Sequence, residues 1–172
     1  MRKALLSLAA LALVLGACGG DDDDDVTADA GDSTTTIATE DAGPPCVAAQ
    51  QIPEGAPDVP VKETGPTELL IEDLTEGDGA EVVEGSTVTV NYIGVLCSTG
   101  AVFDQSYTGG QPIKFGLDEV IPGWSQGLVG MKVGGKRLLG IPPDLAYGDA
   151  GAGGAIGPGE TLWFVVELEE VS

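Results

Sequence analysis

The sequence predicts an α+β domain: one antiparallel β-sheet packed against a single short α-helix. Three observations carry this. The run STVTVNYIGVL places Val88, Val90, Tyr92 and Leu96 on one side and Thr87, Thr89 and Asn91 on the other, the period-two alternation of a half-buried antiparallel strand. TLWFVVELEEV repeats the pattern, with Leu162, Phe164, Val166 and Leu168 opposite Trp163 and Val165. Only Val120 to Met131 carries apolar residues at helical spacing, at Ile121, Trp124, Leu128 and Met131.

Taken in chain order, the first segment reads as a leader. Arg2 and Lys3 precede an apolar run from Ala4 to Leu15, too short to span a bilayer and laid out as a signal peptide. The run ends in LGAC, which resembles the lipobox of bacterial lipoproteins, where small residues admit the peptidase and the cysteine is lipidated. Residues 1–17 are therefore expected to form a lipoprotein signal peptide. Cys18 is then the lipid-bearing first residue of a mature chain anchored in the cell membrane, on its extracytoplasmic face.

Residues 18–66 follow as an acidic low-complexity tether, with Asp21 to Asp25 in a row and twelve acids against Lys62 alone. Such a segment buries too little apolar surface to offset chain entropy. It is expected to stay extended and solvated, lifting a domain at 67–172 off the membrane. With Cys18 lipidated, Cys46 and Cys97 remain, and outside the cytoplasm two leftover thiols are more often bridged than free. A Cys46–Cys97 disulfide is expected, contributing up to about 4 kcal/mol on the chain-entropy picture.

From Thr67 onward strand-like runs are separated by turn signals, EGDG at Glu76 to Gly79, STG at Ser98 to Gly100 and TGG at Thr108 to Gly110. KRLLGI, Lys136 to Ile141, supplies a further strand that Pro142 and Pro143 stop, since neither can donate to a ladder. In the helical segment Pro122 sits near the start, where its missing N–H is harmless. Gly127 and Gly130 are expected to let the helix pack closely under the sheet, with Trp124 turned to the concave side.

Composition removes several functions. With 28 acids against 7 bases and a formal charge of -21, the chain lacks the Lys and Arg contacts on which nucleic-acid binding rests, and no nucleic-acid partner is expected. The sequence has no histidine, which removes the commonest zinc ligand, the Ser-His-Asp triad and the usual proton shuttle near neutral pH. Neither metal nor cofactor is expected. GDAGAGGAIGPG, Gly148 to Gly159, is not a phosphate loop, because no Gly-Lys-Ser/Thr follows.

TVNYIG, VFDQS, PIKF, EVIPGW, GLVGMKVGGKR, IPPDLAYG and TLWFVVEL stand in the order, and almost the spacing, of the FKBP-type peptidyl-prolyl isomerases. From Glu68 to Val171 the chain resembles that family. The resemblance implies a strongly bent antiparallel sheet wrapped around one short helix, with a proline-binding pocket between them. It implies Trp124 as the pocket floor, Tyr92, Phe103 and Phe164 as walls, and Val120 and Ile121 as the rim. Ile113 and Phe115 of PIKF join the binding surface, and Ile156 lies in a covering flap. The Ile121 N–H matches a donor to a substrate carbonyl, the Tyr147 hydroxyl a second hydrogen bond, and Asp104 a carboxylate beside the pocket.

By themselves Phe164 and Tyr92 read as core, Asp104 as a turn residue and Tyr147 as an exposed ring before a glycine. Ile113 stands where the family often has an aromatic and Ala152 where some members have a histidine. Binding of rapamycin-like macrolides is accordingly expected to be weaker than usual.

Rotation about an X-Pro bond meets a barrier of about 18–20 kcal/mol although cis and trans differ by only about 0.5–1 kcal/mol. No bond is made and no proton moves, so an apolar wall and a few fixed donors suffice, and the missing histidine is no objection. The expectation is a monomeric isomerase that accelerates X-Pro isomerisation in exported polypeptides. The alternative is a binding module that holds proline-containing peptides in the same pocket, with turnover incidental.

Overall fold

The computed structural model describes residues 43–172; the expected signal peptide, Cys18 and the aspartate run lie outside the described residues. Among these residues six strands form one antiparallel sheet: β1 (Leu70–Thr75), β2 (Thr87–Leu96), β3 (Val102–Gln105), β4 (Ile113–Gly116), β5 (Lys136–Ile141) and β6 (Leu162–Val171). The order is β1-β5-β6-β2-β3, and β4 shares with β3 the free edge of β2, pairing with Thr87–Val90 while β3 pairs with Ile93–Val95. β2 and β6 run together from Val88↔Val171 to Leu96↔Leu162. Register shifts place an extra residue in β1, β3 and β6, and such bulges bend a strand and increase its twist.

The alternation in β2 and β6 has the side-chain consequence expected of it. Val88, Val90, Tyr92 and Leu96 meet Leu162, Phe164, Val166 and Leu168 in one core cluster with Trp124, Leu128 and Met131. The helix α1 spans only Pro122–Gly127, a correction to the longer segment at Val120 to Met131. Ile121 before it is extended (φ −59°, ψ 150°), as a residue preceding proline must be. Beyond Leu128 the chain turns through Gly130 at φ +80°, a left-handed conformation that ends a helix.

The Val82 N–H then donates to the Met131 carbonyl and the Gly130 N–H to the Val82 carbonyl, so this stretch is held by a neighbouring loop. Close packing of α1 falls to Gly123 and Gly127 and not to Gly130. A Cβ on Gly123 would overlap the Ile141 side chain, and one on Gly127 would stand 2.7 Å from Leu139 Cδ2.

Residues 43–66, expected as the end of a solvated tether, instead pack on the outer face of the sheet. That face carries Ile93, Val95, Leu138, Trp163 and Val165, each fully buried. Val59 is inserted against them, with Ile52, Ala56 and Val61 partly buried alongside. The strap is tied by the Val47 N–H to the Cys97 carbonyl (2.7 Å), by the Gln50 N–H to the Gly100 carbonyl (2.7 Å) and by the Cys46–Cys97 disulfide. The packed residues therefore begin ahead of the boundary drawn at residue 67. β2 and β6 are apolar on both faces along much of their length, and an outer face bearing Trp163 requires a cover. A proline-rich segment supplies that cover through single residues and has no apolar run of its own.

Candidate active site

Between α1 and the inner face of the sheet lies a cavity of about 410 Å³. Tyr92 reaches it from β2, Phe103 and Asp104 from β3, Phe115 from β4, Trp124 from α1 and Phe164 from β6. Val120, Ile121 and Tyr147 stand at its mouth. Trp124, 4% exposed, is the hub of the cluster. The rings of Tyr92, Phe115 and Phe164 meet it edge-on at 5.3, 5.6 and 5.3 Å, and Phe103 meets Phe164 at 5.5 Å. Edge-to-face contacts set ring edges against negatively charged ring faces, so they orient the indole as well as bury it. Its Nε1–H is buried and has no partner among the described residues.

Two backbone features make this possible. Between Val95 and Gly94 on β2, β3 advances two residues, from Val102 to Asp104, so Phe103 is the extra residue of a β-bulge. Consecutive strand residues ordinarily face opposite sides; the bulge lets both Phe103 and Asp104 line one cavity. Gly94 lies beneath the Phe103–Phe164 pair, and a Cβ there would stand 2.7 Å from Phe103 Cζ and 2.7 Å from Phe164 Cε1. Gly94 was not singled out in the sequence, although it interrupts the inward row between Tyr92 and Leu96.

The polar groups are few and fixed. The Tyr92 O–H donates to Asp104 Oδ2 at 2.7 Å, and the Gln105 N–H donates to Asp104 Oδ1 at 2.9 Å. Burial first, then the hydrogen bond and charge of Asp104, push the Tyr92 phenol well above its ordinary value, so the hydroxyl keeps its proton. The Ile121 carbonyl accepts from the Trp124 and Ser125 N–H groups, while the Ile121 N–H has no partner among the described residues. Glu119, to which the sequence alone assigns no role, adds a second carboxylate to the lining.

Two expected positions lie off the cavity wall. Ile113 is 37% exposed on β4, and Ile156 is buried in the core at 8%, closing a turn through paired hydrogen bonds with Ala152. An apolar hollow with a few convergent polar groups is the usual form of a small-ligand or peptide-side-chain site.

The family model for FKBP-type peptidyl-prolyl cis-trans isomerase matches residues 79–169. A protein named FK506-binding protein from Streptomyces anulatus is 55% identical over 109 residues, covering 62% of this chain and 88% of the relative. A protein of the same name from Neisseria meningitidis is 51% identical over 105 residues, covering 60% of this chain and 95% of the relative. Among solved structures, FkpA from Escherichia coli superposes with a TM-score of 0.57 at 49% identity, over 60% of this chain and 48% of that one. A peptidyl-prolyl cis-trans isomerase from Pseudomonas syringae does so with a TM-score of 0.56 at 44% identity, over 60% and 75%. The chain thus spans about half of FkpA but most of the shorter relatives. A match through more than half of its length, over the strands and the helix that build the aromatic hollow, shows that the chain belongs to the FKBP-type peptidyl-prolyl cis-trans isomerase family.

Proposed function

We propose that this isomerase works outside the cytoplasmic membrane, tethered through a lipid on Cys18, and assists the folding of exported polypeptides as a monomer. The observation that carries the catalytic part is Trp124, held by three rings at the base of the hollow beside an unpartnered Ile121 N–H. In this reading the substrate proline rests on the indole, between walls formed by Tyr92, Phe103 and Phe164. The Ile121 N–H and the Tyr147 hydroxyl, at the mouth, donate to substrate carbonyls. The planar amide is the more charge-separated form, so a site with few polar partners favours the twisted one, and binding that is tighter to the twisted amide lowers the barrier.

The tethering part is supported by the LGAC sequence ending at Cys18 and by the Cys46–Cys97 disulfide, a bond that persists in oxidising compartments. Relatives named for FK506 binding support macrolide binding in the same hollow, weakened because Ile113, off the cavity wall, is aliphatic where the family often has an aromatic.

The test has two arms. The chain from residue 18 with Cys18→Ser is expected to accelerate cis-trans isomerisation of a short X-Pro peptide; a folded protein that binds the peptide without acceleration favours the binding module. Mass spectrometry of the membrane fraction is expected to find diacylglycerol on Cys18 and no residues 1–17. An unmodified Cys18 in the full-length product contradicts the tether.

A further inference from the structure

We infer that Ser106 is a positioning residue for the Tyr92–Asp104 pair, and through it for one wall of the proposed proline pocket; the inference rests on reading that hollow as the isomerase site. The bulge that brings Phe103 and Asp104 to the same side has a consequence for order. It interrupts the ladder on a strand of only four residues at the sheet edge, and the extra residue is left unpaired, so few ladder bonds hold this strand in place. Asp104 must nonetheless stay within hydrogen-bond reach of the Tyr92 hydroxyl on the neighbouring strand.

Ser106 closes the register again two residues past Asp104. Its N–H donates to the Tyr92 carbonyl at 3.0 Å. In return the Tyr92 N–H donates to Ser106 Oγ at 3.0 Å, and the Ser106 O–H donates to Asn91 Oδ1 at 3.1 Å. The strand has ended at Gln105 and the chain turns into a 3₁₀ turn at Tyr107–Gly109, so a side-chain oxygen does the work of the next ladder carbonyl. Asn91 is held in turn, its Nδ2 donating to Glu169 Oε1 at 3.2 Å. Ser106 is 2% exposed, and removing its hydroxyl would leave the buried Tyr92 N–H without this partner, a costly arrangement, and would release the part-buried Asn91 Oδ1. Ser106 therefore grips the backbone of Tyr92 and fixes the chain on the far side of Asp104.

The test compares wild type, Ser106→Ala, Ser106→Thr, Asp104→Ala and the Ser106→Ala/Asp104→Ala double variant of the chain from residue 18, for peptide isomerisation and thermal stability. Ser106→Ala is expected to lower kcat/KM by about tenfold or more, as small misplacements in a site do. Ser106→Thr, which keeps the hydroxyl, restores most of it. In the Asp104→Ala background Ser106→Ala adds little, because the pair it positions is already broken. A Ser106→Ala protein with a lowered melting temperature and kcat/KM within about twofold of wild type overturns the inference, as does full multiplication of the two effects in the double variant.

Absence of turnover in the wild type would refute the isomerase reading by itself. The Tyr92 hydroxyl proton resonance, slowed in exchange by Asp104, then carries the test. Its loss in Ser106→Ala and retention in Ser106→Thr support the positioning role; persistence in Ser106→Ala overturns it.

Discussion

Reduction of Cys46–Cys97 perturbs the strap without touching the pocket, and its magnitude can be worked out. The bond closes a loop with a sequence separation of 51. On the chain-entropy picture such a loop restricts the unfolded chain by about 14 cal/mol/K, or about 4 kcal/mol at 25 °C. For a packed unit of this size that corresponds to a fall in melting temperature of about 12–20 °C. The strap keeps its noncovalent anchors at Val59 and Gln50, so the fold survives reduction at low temperature. Urea unfolding followed by tryptophan fluorescence, with and without reductant, is the assay. Trp163 reports directly, since its Nε1 lies 3.4 Å from Cys46 Sγ. Because the bond is on the sheet face opposite the aromatic hollow, kcat/KM should be nearly unchanged well below the melting point. An unmoved unfolding midpoint, with both thiols shown by mass to be alkylated, refutes the reasoning.

Other outcomes are equally checkable. Gly94→Ala drives a methyl group into Phe103 and Phe164; it should cost about 1–3 kcal/mol of stability and lower peptide turnover, and unchanged values of both would show that the walls are free to move. Burial first, then Asp104 and Glu167, raise the Tyr92 and Tyr107 phenols. The folded protein thus holds these protons more tightly than the unfolded chain. Their stabilisation is complete below about pH 10 and is lost as pH rises above it, a loss that Tyr92→Phe should lessen in unfolding midpoints.

Glu167 goes the other way. Partial burial raises its carboxyl, but Lys136 and the Tyr107 hydroxyl outweigh this and hold it below its ordinary 4.5. Its stabilisation is present above that pH and lost on acidification, and Glu167→Gln should flatten this limb. Finally, Asp104 and Glu119 line the hollow. A lysine-flanked X-Pro peptide should therefore be turned over faster than a glutamate-flanked one, and the gap should shrink with salt; equal rates at low salt would contradict it.

The sequence was most legible where one physical rule acted alone. Val88 to Leu96 and Leu162 to Leu168 alternate because each strand presents a row to the helix-side core, and that row is visible residue by residue. The sequence marks the helix at Trp124 but not its end, because Leu128 and Met131 keep helical spacing while Gly130 has already turned the chain. The strap escaped notice because its packing depends on scattered residues such as Val59 meeting a distant Trp163. Within the site, side chains of recognisable chemistry were found, whereas Gly94 and Ser106 were not. Their effect arises only once β2, β3 and β6 are side by side, one by leaving space and the other by replacing a carbonyl.

The floor of the hollow is the central claim, and one comparison tests it most directly: kcat/KM for an X-Pro peptide in wild type, Trp124→Ala and Trp124→Leu. Removing so buried an indole costs about 3–5 kcal/mol, so each variant is first shown to be folded by near-ultraviolet circular dichroism below its melting temperature. A loss of at least about tenfold is expected in both, because the proline ring loses its platform while the Ile121 N–H remains. Wild-type turnover in a folded Trp124→Ala protein would contradict it.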